Sequence, residues 1–160
     1  MESRYFDFFF IRATEYYLRK LEIFKTGKKV SFNLFPFLFG FLWFIYRKMY
    51  WQAVILFFII YAINFVEQTV LLMYFPYNYD AQIAVQLLTT ITFGILTGIF
   101  GNWFYIQHAS RKIKKITEKN EGNEEEIIKE IKKSGGVSHL WLTIAILIFV
   151  AIQILANLIV

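Results

Sequence analysis

Several hydrogen-bonding side chains lie inside long stretches of apolar residues, where each of them needs a partner. Glu67 is the one carboxylate among them, and a charged side chain near the centre of a bilayer costs at least about 2.5 kcal/mol. If these stretches are membrane helices that rise about 1.5 Å per residue, the polar groups fall at one level in the outer half of the bilayer. The candidate polar cluster comprises Asn64, Glu67, Gln68, Gln86, Gln153 and Asn157.

Two interpretations of the candidate polar cluster are open. Its members hydrogen-bond to one another or reach the outer headgroups, as polar residues do when they hold membrane helices together, or they line a hydrated outer vestibule. In the second case Glu67 would take up a proton or attract a cation. Substitution of Glu67 by glutamine separates the two, because it removes the charge and keeps a hydrogen-bonding group.

Nothing in the sequence indicates a catalytic or metal centre. His108 and His139 each stand alone near the end of an apolar stretch, without an acidic residue at a ligand-like helical spacing, and the chain has no cysteine. A zinc site needs three or four such ligands together. The sequence also lacks a Gly-rich phosphate loop, a G-x-S-x-G nucleophile motif and an H-E-x-x-H motif. We therefore expect no enzymatic activity, no cofactor and no bound metal.

Small residues recur every three or four positions along one apolar stretch. The run from Gly94 to Gly98 has the small-xxx-small spacing that lets two membrane helices approach closely. We expect this face to contact another helix, of the same chain or of a second copy, rather than to line a ligand passage. The small-residue seam comprises Thr90, Gly94, Thr97, Gly98 and Gly101.

The composition requires lipid rather than water as the main solvent. Of the 160 residues, 58% are hydrophobic and 21% are aromatic, which is too apolar for a small water-soluble domain. The sequence predicts an all-α membrane protein with three transmembrane helices, a short re-entrant or interfacial hydrophobic helix and an amphipathic N-terminal helix. The first residues lack the pattern of a cleaved secretory signal, so we expect them to be retained.

The hydrophobic pattern divides the chain into five segments. A membrane of about 30 Å takes about 20 helical residues to cross, which three apolar stretches provide and the 12-residue run Phe35 to Tyr46 does not. The expected division is 1–31 for the amphipathic N-terminal helix, 32–48 for the short hydrophobic segment, 49–106 for a transmembrane hairpin, 107–138 for a charged cytosolic helical hairpin and 139–160 for the third transmembrane helix.

The N-terminal segment has an apolar face with helical spacing. Phe6, Phe10, Tyr17 and Leu21 recur in a pattern that predicts one continuous helix over residues 3–25. Such a helix lies flat in the headgroup region or packs on the protein's own cytosolic surface, and the sequence favours neither placement.

Basic residues indicate the orientation. Eight Lys and Arg residues lie in segment 107–138 and seven more precede Ser31, whereas the connection 76–80 has none. By the positive-inside rule, the N-terminus is cytoplasmic and the C-terminus is outside. Trp51, Trp103 and Trp141 would then lie at the cytoplasmic interface. The candidate headgroup contacts to membrane lipids are Arg47, Lys48, Arg111 and Lys112.

The charged hairpin is nearly neutral. Its eight basic residues face six acidic ones, so we expect no binding to nucleic acid, which requires a strongly basic surface. A protein partner on this hairpin is the more reasonable expectation.

The segment Phe32 to Met49 resembles a bacterial domain-of-unknown-function family of small inner-membrane proteins. The mark of that family is an F-F-G-x-x-W-x-x-Y-R-K-M run, here around Gly40, Trp43 and Tyr46-Arg47-Lys48-Met49. The resemblance continues at residues 98–105 and at 135–136, and it covers roughly residues 31–140. It implies a location in the bacterial cytoplasmic membrane and brings no activity. Some relatives carry a zinc ribbon, which this cysteine-free chain lacks.

Two functions follow as hypotheses. The first is a non-enzymatic accessory or scaffold subunit that acts through helix packing and the cytosolic hairpin. The alternative is a small channel or transporter-like homo-oligomer built on the small-residue seam and the polar cluster around Glu67. A single copy has too few helices for a pore, so the alternative requires self-association.

Overall fold

The computed structural model describes the backbone of residues 3–159 and the side chains of residues 4–152, 154–155 and 158. This part of the chain is all α-helical, which confirms the predicted fold class. Its helices are α1 (Ser3–Phe10), α2 (Thr14–Lys25), α3 (Leu34–Phe39), α4 (Phe41–Tyr46), α5 (Tyr50–Tyr74), α6 (Tyr79–Lys119), α7 (Glu124–Ser134) and α8 (His139–Ile159).

Three of these helices are long and apolar enough to cross a membrane, by length and composition. They are α5, α6 and α8, in agreement with the three predicted spans. Helix α6 has 41 residues and continues without a break beyond the predicted end of the span at residue 106. The candidate spanning region and the charged hairpin are therefore connected by one continuous helix.

The N-terminal segment differs from the prediction of one continuous helix. Ile11 and Ala13 have φ angles of 50° and 59°, a left-handed conformation that a right-handed helix cannot contain. Two helices, α1 and α2, result. Their apolar faces pack on the protein itself rather than remaining free, since Phe10, Tyr17 and Leu21 are all buried.

Helices α1, α2 and α7 pack around the C-terminal part of α6, and together we call this unit the head. Ile113 and Ile116 of α6 face Ile127 and Ile131 of α7 in its apolar core. The turn at residues 120–123 leads into α7. The Asn123 side chain caps this helix by accepting a hydrogen bond from the Glu126 N–H at 3.1 Å.

The short hydrophobic segment forms two helices, α3 and α4, which we call the wedge. Gly40 separates them with a φ of 49°, a conformation that costs glycine little. Helix α3 packs along α6, and α4 contacts both α5 and α8. The wedge therefore connects the three long helices at the end nearest the head.

The long helices are mostly exposed beyond the wedge. In the most apolar stretch of each, only 6%, 11% and 11% of the residues are buried within the described chain. Contacts between α5, α6 and α8 themselves are marginal compared with their contacts to the wedge. A single chain therefore holds its candidate spanning helices apart.

Candidate functional site

The small-residue seam of α6 is the surface on which α3 lies. A Cβ atom at Gly98 would come within 2.9 Å of the Phe32 ring, and one at Gly101 within 2.7 Å of Pro36 Cγ. The Thr97 hydroxyl donates to the Pro36 carbonyl at 2.9 Å. The seam is thus filled by a helix of the same chain.

Not every member of the small-residue seam takes part in this contact. Gly94 lies against Phe37, but Thr90 is exposed and donates to the Gln86 carbonyl of its own helix at 2.8 Å. The backbone strengthens the seam, because the N–H of Asn33 donates to the Gly98 carbonyl at 2.9 Å and that of Ser31 to the Ile99 carbonyl at 3.2 Å.

A buried hydrogen-bond network fixes the entrance of the wedge. Asn102 is fully buried. Its side-chain oxygen accepts from Asn33 Nδ2 at 2.8 Å, and its Nδ2 donates to the Tyr16 hydroxyl at 2.8 Å and to Ser31 Oγ at 3.2 Å. Asn33 also caps α3 by accepting from the Phe35 N–H at 3.0 Å. We call these residues the asparagine network. Sequence reasoning missed it, since no local pattern pairs residues 33 and 102.

Arg47 lies in a cage of aromatic rings rather than at the membrane surface. Its guanidinium carbon is 4.6 Å from the centre of the Tyr17 ring and 5.0 Å from that of Tyr105, with Tyr46 at 5.8 Å. Its Nη2 donates to the Tyr17 hydroxyl at 3.0 Å, and Nη1 donates to the Arg12 carbonyl at 3.4 Å. The side chain therefore connects α2, α4 and α6.

The caged cation is balanced by rings and not by a carboxylate. Within the described residues, Arg47 forms no ion pair, and its Nε has no hydrogen-bond partner. Cation–π contacts of this kind are worth about 2 kcal/mol or more when they are removed from water. Burial raises the pKa of the Tyr17 phenol, while the positive charge of Arg47 acts in the opposite direction.

The predicted headgroup contacts therefore occupy three different environments. Arg47 is buried, which corrects the expectation that it faces lipid headgroups. Lys48 is half-buried, and its Nζ donates to the Lys133 carbonyl at 3.0 Å. Arg111 and Lys112 are exposed on α6.

The four described members of the candidate polar cluster form no hydrogen bonds with one another. Asn64 donates to the Ile60 carbonyl of its own helix at 2.8 Å, and one carboxylate oxygen of Glu67 is enclosed without a hydrogen-bond partner. Gln68 and Gln86 are exposed. The side chains of the two remaining members, Gln153 and Asn157, lie outside the described residues. Their similar depth in the membrane did not bring the described members on α5 and α6 into contact, because depth does not determine the direction in which a helix face points.

The two histidines lie beside aromatic rings. His108 Nδ1 is 3.3 Å from Gln52 Nε2, and its ring contacts Phe9. His139 packs against the Tyr46 ring with a centroid distance of 5.4 Å. Both rings therefore serve packing between elements in this structure.

Three candidate spanning helices, connected by a head and a wedge, indicate the class of multi-pass α-helical membrane proteins. A family model matches residues 9–111, and the chain belongs to that family, which is described as a protein of unknown function (DUF2628). Comparison with curated proteins and with solved structures gives no match.

The residues matched by the family model can be located in the structure. It begins near the end of α1 and ends within α6, so it includes α2, the wedge, α5 and most of α6. It starts earlier than the expected range of 31–140 and does not reach Gly135 and Gly136. The asparagine network and the Arg47 cage both fall entirely inside it.

Proposed function

We propose that this protein is a non-enzymatic accessory subunit of a membrane assembly. In this proposal, the head and the wedge hold three spanning helices apart so that their exposed faces bind the membrane helices of a partner protein. The observation that carries it is the low burial of the three apolar stretches, at 6%, 11% and 11%. Spanning helices gain contact by close packing with other helices, and here that packing is confined to the end near the wedge.

Glu67 supports the same proposal. An ionisable side chain inside a spanning helix needs a partner, and an enclosed oxygen of Glu67 has none in the described chain. A hydrogen-bond donor on a partner helix would satisfy it. We therefore expect the docking surface in the half of α5 that is farther from the wedge.

The charged hairpin is a weaker candidate for docking. Its apolar face is already covered, because Ile127 and Ile131 are buried in the core of the head. The outer surface of the hairpin is charged, and ion pairs that are exposed to water contribute little to binding energy. The exposed membrane helices are therefore the surface on which the proposal rests.

The orientation and the location belong to the same proposal. We infer that the head is cytoplasmic because the basic residues lie in and next to it, seven before Ser31 and eight in segment 107–138. The resemblance to bacterial inner-membrane proteins supports the bacterial cytoplasmic membrane as the location.

A photo-crosslinking scan tests the accessory role. A photoreactive phenylalanine analogue is introduced one position at a time over residues 62–73 of α5 and 141–150 of α8, in the full chain in its native membrane. A docked helix predicts protein crosslinks that recur every three or four positions. Exposed positions in the head, Lys115 and Lys129, serve as controls. Crosslinks to lipid alone, or equal crosslinking at every position, would contradict the proposal.

The alternative function, an oligomeric channel, has to be distinguished from the accessory role. Its small-residue seam is occupied by α3, so self-association would have to use other faces of the helices. Crosslinks to a second copy of this chain, together with an ion flux that Glu67→Gln abolishes, would favour it over the accessory role.

A further inference from the structure

A basic cleft lies where the head meets the candidate membrane helices. It has a volume of about 580 Å³ and is lined by, among others, Lys48, Lys112, Glu130, Lys133, Ser134 and Ser138. These residues come from the connection between α4 and α5, from α6, from α7 and from the connection to α8. Three of these four parts of the chain each bring one ammonium group to the cleft.

The charge of the basic cleft is not balanced by its one carboxylate. Glu130 already accepts from Lys119 Nζ at 2.7 Å and from Asn120 Nδ2 at 3.2 Å. Within the described residues, neither Lys112 nor Lys133 pairs with a carboxylate. The cleft is therefore suited to an anion and offers no free acid to a cationic group.

Lys48 is held in the cleft at a conformational cost. Its φ is 59°, a left-handed conformation that is strained for residues other than glycine. Its Nζ is directed to the Lys133 carbonyl at the end of α7. Burial lowers the pKa of Lys48, so a neighbouring anion would stabilise its charged form.

An apolar groove of about 390 Å³ continues from the basic cleft between α5 and α8. Its lining is almost entirely apolar and includes Ile45 of the wedge, Phe57 of α5 and Ala145 of α8. Tyr50 and Trp141 line both the groove and the cleft, and their rings are in contact at a centroid distance of 5.9 Å. Amphipathic aromatic rings of this kind mark the level of the headgroups.

We propose that the cleft and the groove together bind one anionic phospholipid, with its phosphate on Lys48, Lys112 and Lys133 and its acyl chains between α5 and α8. The order of the parts matches the order of a lipid: cations, then the aromatic boundary, then an apolar channel. Within the described residues none of the three ammonium groups pairs with a carboxylate, and this favours an anionic headgroup over a zwitterionic one. This inference does not depend on the proposed accessory role, since the site lies within one chain.

The test uses the full chain in a neutral detergent, with lipids removed and then titrated back. Native mass spectrometry counts the bound lipids for dioleoyl phosphatidylglycerol and for dioleoyl phosphatidylcholine, which has the same acyl chains. Glycerol phosphate, which has no acyl chain, is the third ligand. We expect one phosphatidylglycerol per chain at concentrations at which the other two do not bind.

The charge of the cleft is tested with the double variant Lys112→Gln/Lys133→Gln. Each lysine near a headgroup is worth about fivefold in affinity, so the variant should bind phosphatidylglycerol roughly 30-fold more weakly. The matched control is Lys115→Gln/Lys129→Gln, which removes two exposed charges outside the cleft. Lys48 is left intact because its backbone conformation and its bond to α7 make it a structural residue.

The groove is tested without any change of charge. Ala145→Phe fills it, whereas Ala151→Phe places the same ring on an exposed part of α8 outside it. Ala145→Phe should abolish the single lipid adduct, and Ala151→Phe should retain it. Equal binding of the two phospholipids, equal affinities of each variant and its control, or tight binding of glycerol phosphate would each overturn the proposal.

Discussion

Substitution of Asn102 by leucine tests whether the asparagine network holds the wedge on α6. Leucine has a similar volume and no polar atoms, so the change removes hydrogen bonds with little change in packing. The Nδ2 group of the buried Asn33 would lose its acceptor at 2.8 Å, and an unsatisfied buried donor costs about 1 to 3 kcal/mol. The lost bond to Ser31 at 3.2 Å adds about 1 kcal/mol.

Tyr16 contributes less to this sum, because it is half-exposed and can bond to water after the change. The free energy of unfolding should therefore fall by about 2 to 4 kcal/mol. It can be measured in bicelles by steric trapping of the unfolded chain. Asn64→Leu is the matched control: Asn64 is exposed and bonds to its own helix, so its loss should change the free energy by about 0.5 kcal/mol or less.

A double-mutant cycle with Asn33→Leu separates the pair from the two single changes. The two residues share a hydrogen bond, so the double variant should be less destabilised than the sum of the single variants by about 1 kcal/mol or more. Additive effects, or an Asn102→Leu variant as stable as the Asn64→Leu control, would show that the network does not hold the wedge.

Three further predictions concern the seam, the break between α1 and α2, and the caged tyrosine. Gly101→Leu should detach α3 and expose the wedge to protease, because even a Cβ atom at this position would lie 2.7 Å from Pro36 Cγ. The control is Ala84→Leu on the exposed face of α6, which should resist cleavage as well as the original chain does. Ala13→Gly should raise the thermal midpoint by relieving a φ of 59°, worth about 0.5 to 1 kcal/mol, and an unchanged or lower midpoint would contradict this. Burial raises the pKa of Tyr17 above its ordinary value of 10.0, so the folded state holds the phenol proton more tightly than the unfolded state does, and stability should be lost as pH rises above about 10. Tyr17→Phe should weaken this loss in thermal melts recorded between about pH 8 and pH 11. An identical pH dependence of the two proteins would refute the prediction.

The spans and the head hairpin were predictable because their signals are local. A stretch of about 20 mostly apolar residues and the polar turn at residues 120–123 are both recognised from neighbouring positions only. The break at Ile11 and Ala13 has no such signal, because neither residue favours a left-handed conformation. It arises where α2 must turn back to pack Tyr17 over Tyr105, whose ring centres are 4.8 Å apart.

The candidate site depended on contacts between distant residues. Arg47 follows an apolar run, and in the sequence it looks like a headgroup contact. In the fold it is covered by α2, whose Tyr17 lies 30 residues earlier in the chain. The seam was recognised from its spacing, but the spacing could not name α3 as the helix that fills it. The polar cluster was inferred from depth and from the face that its members share on each helix. Neither shows which faces of different helices meet, and the described members on α5 and on α6 lie on helices that the wedge holds apart.

The mass of the particle released directly from native membranes is the measurement that tests the central proposal of an accessory subunit most directly. Native mass spectrometry of the 19.1 kDa chain should show a defined species that contains this protein and a second membrane protein in a fixed ratio. It should also show loss of that species when exposed α5 positions such as Phe65 and Leu72 are replaced by charged residues. A single chain with lipids only, unaffected by those changes, would contradict the account.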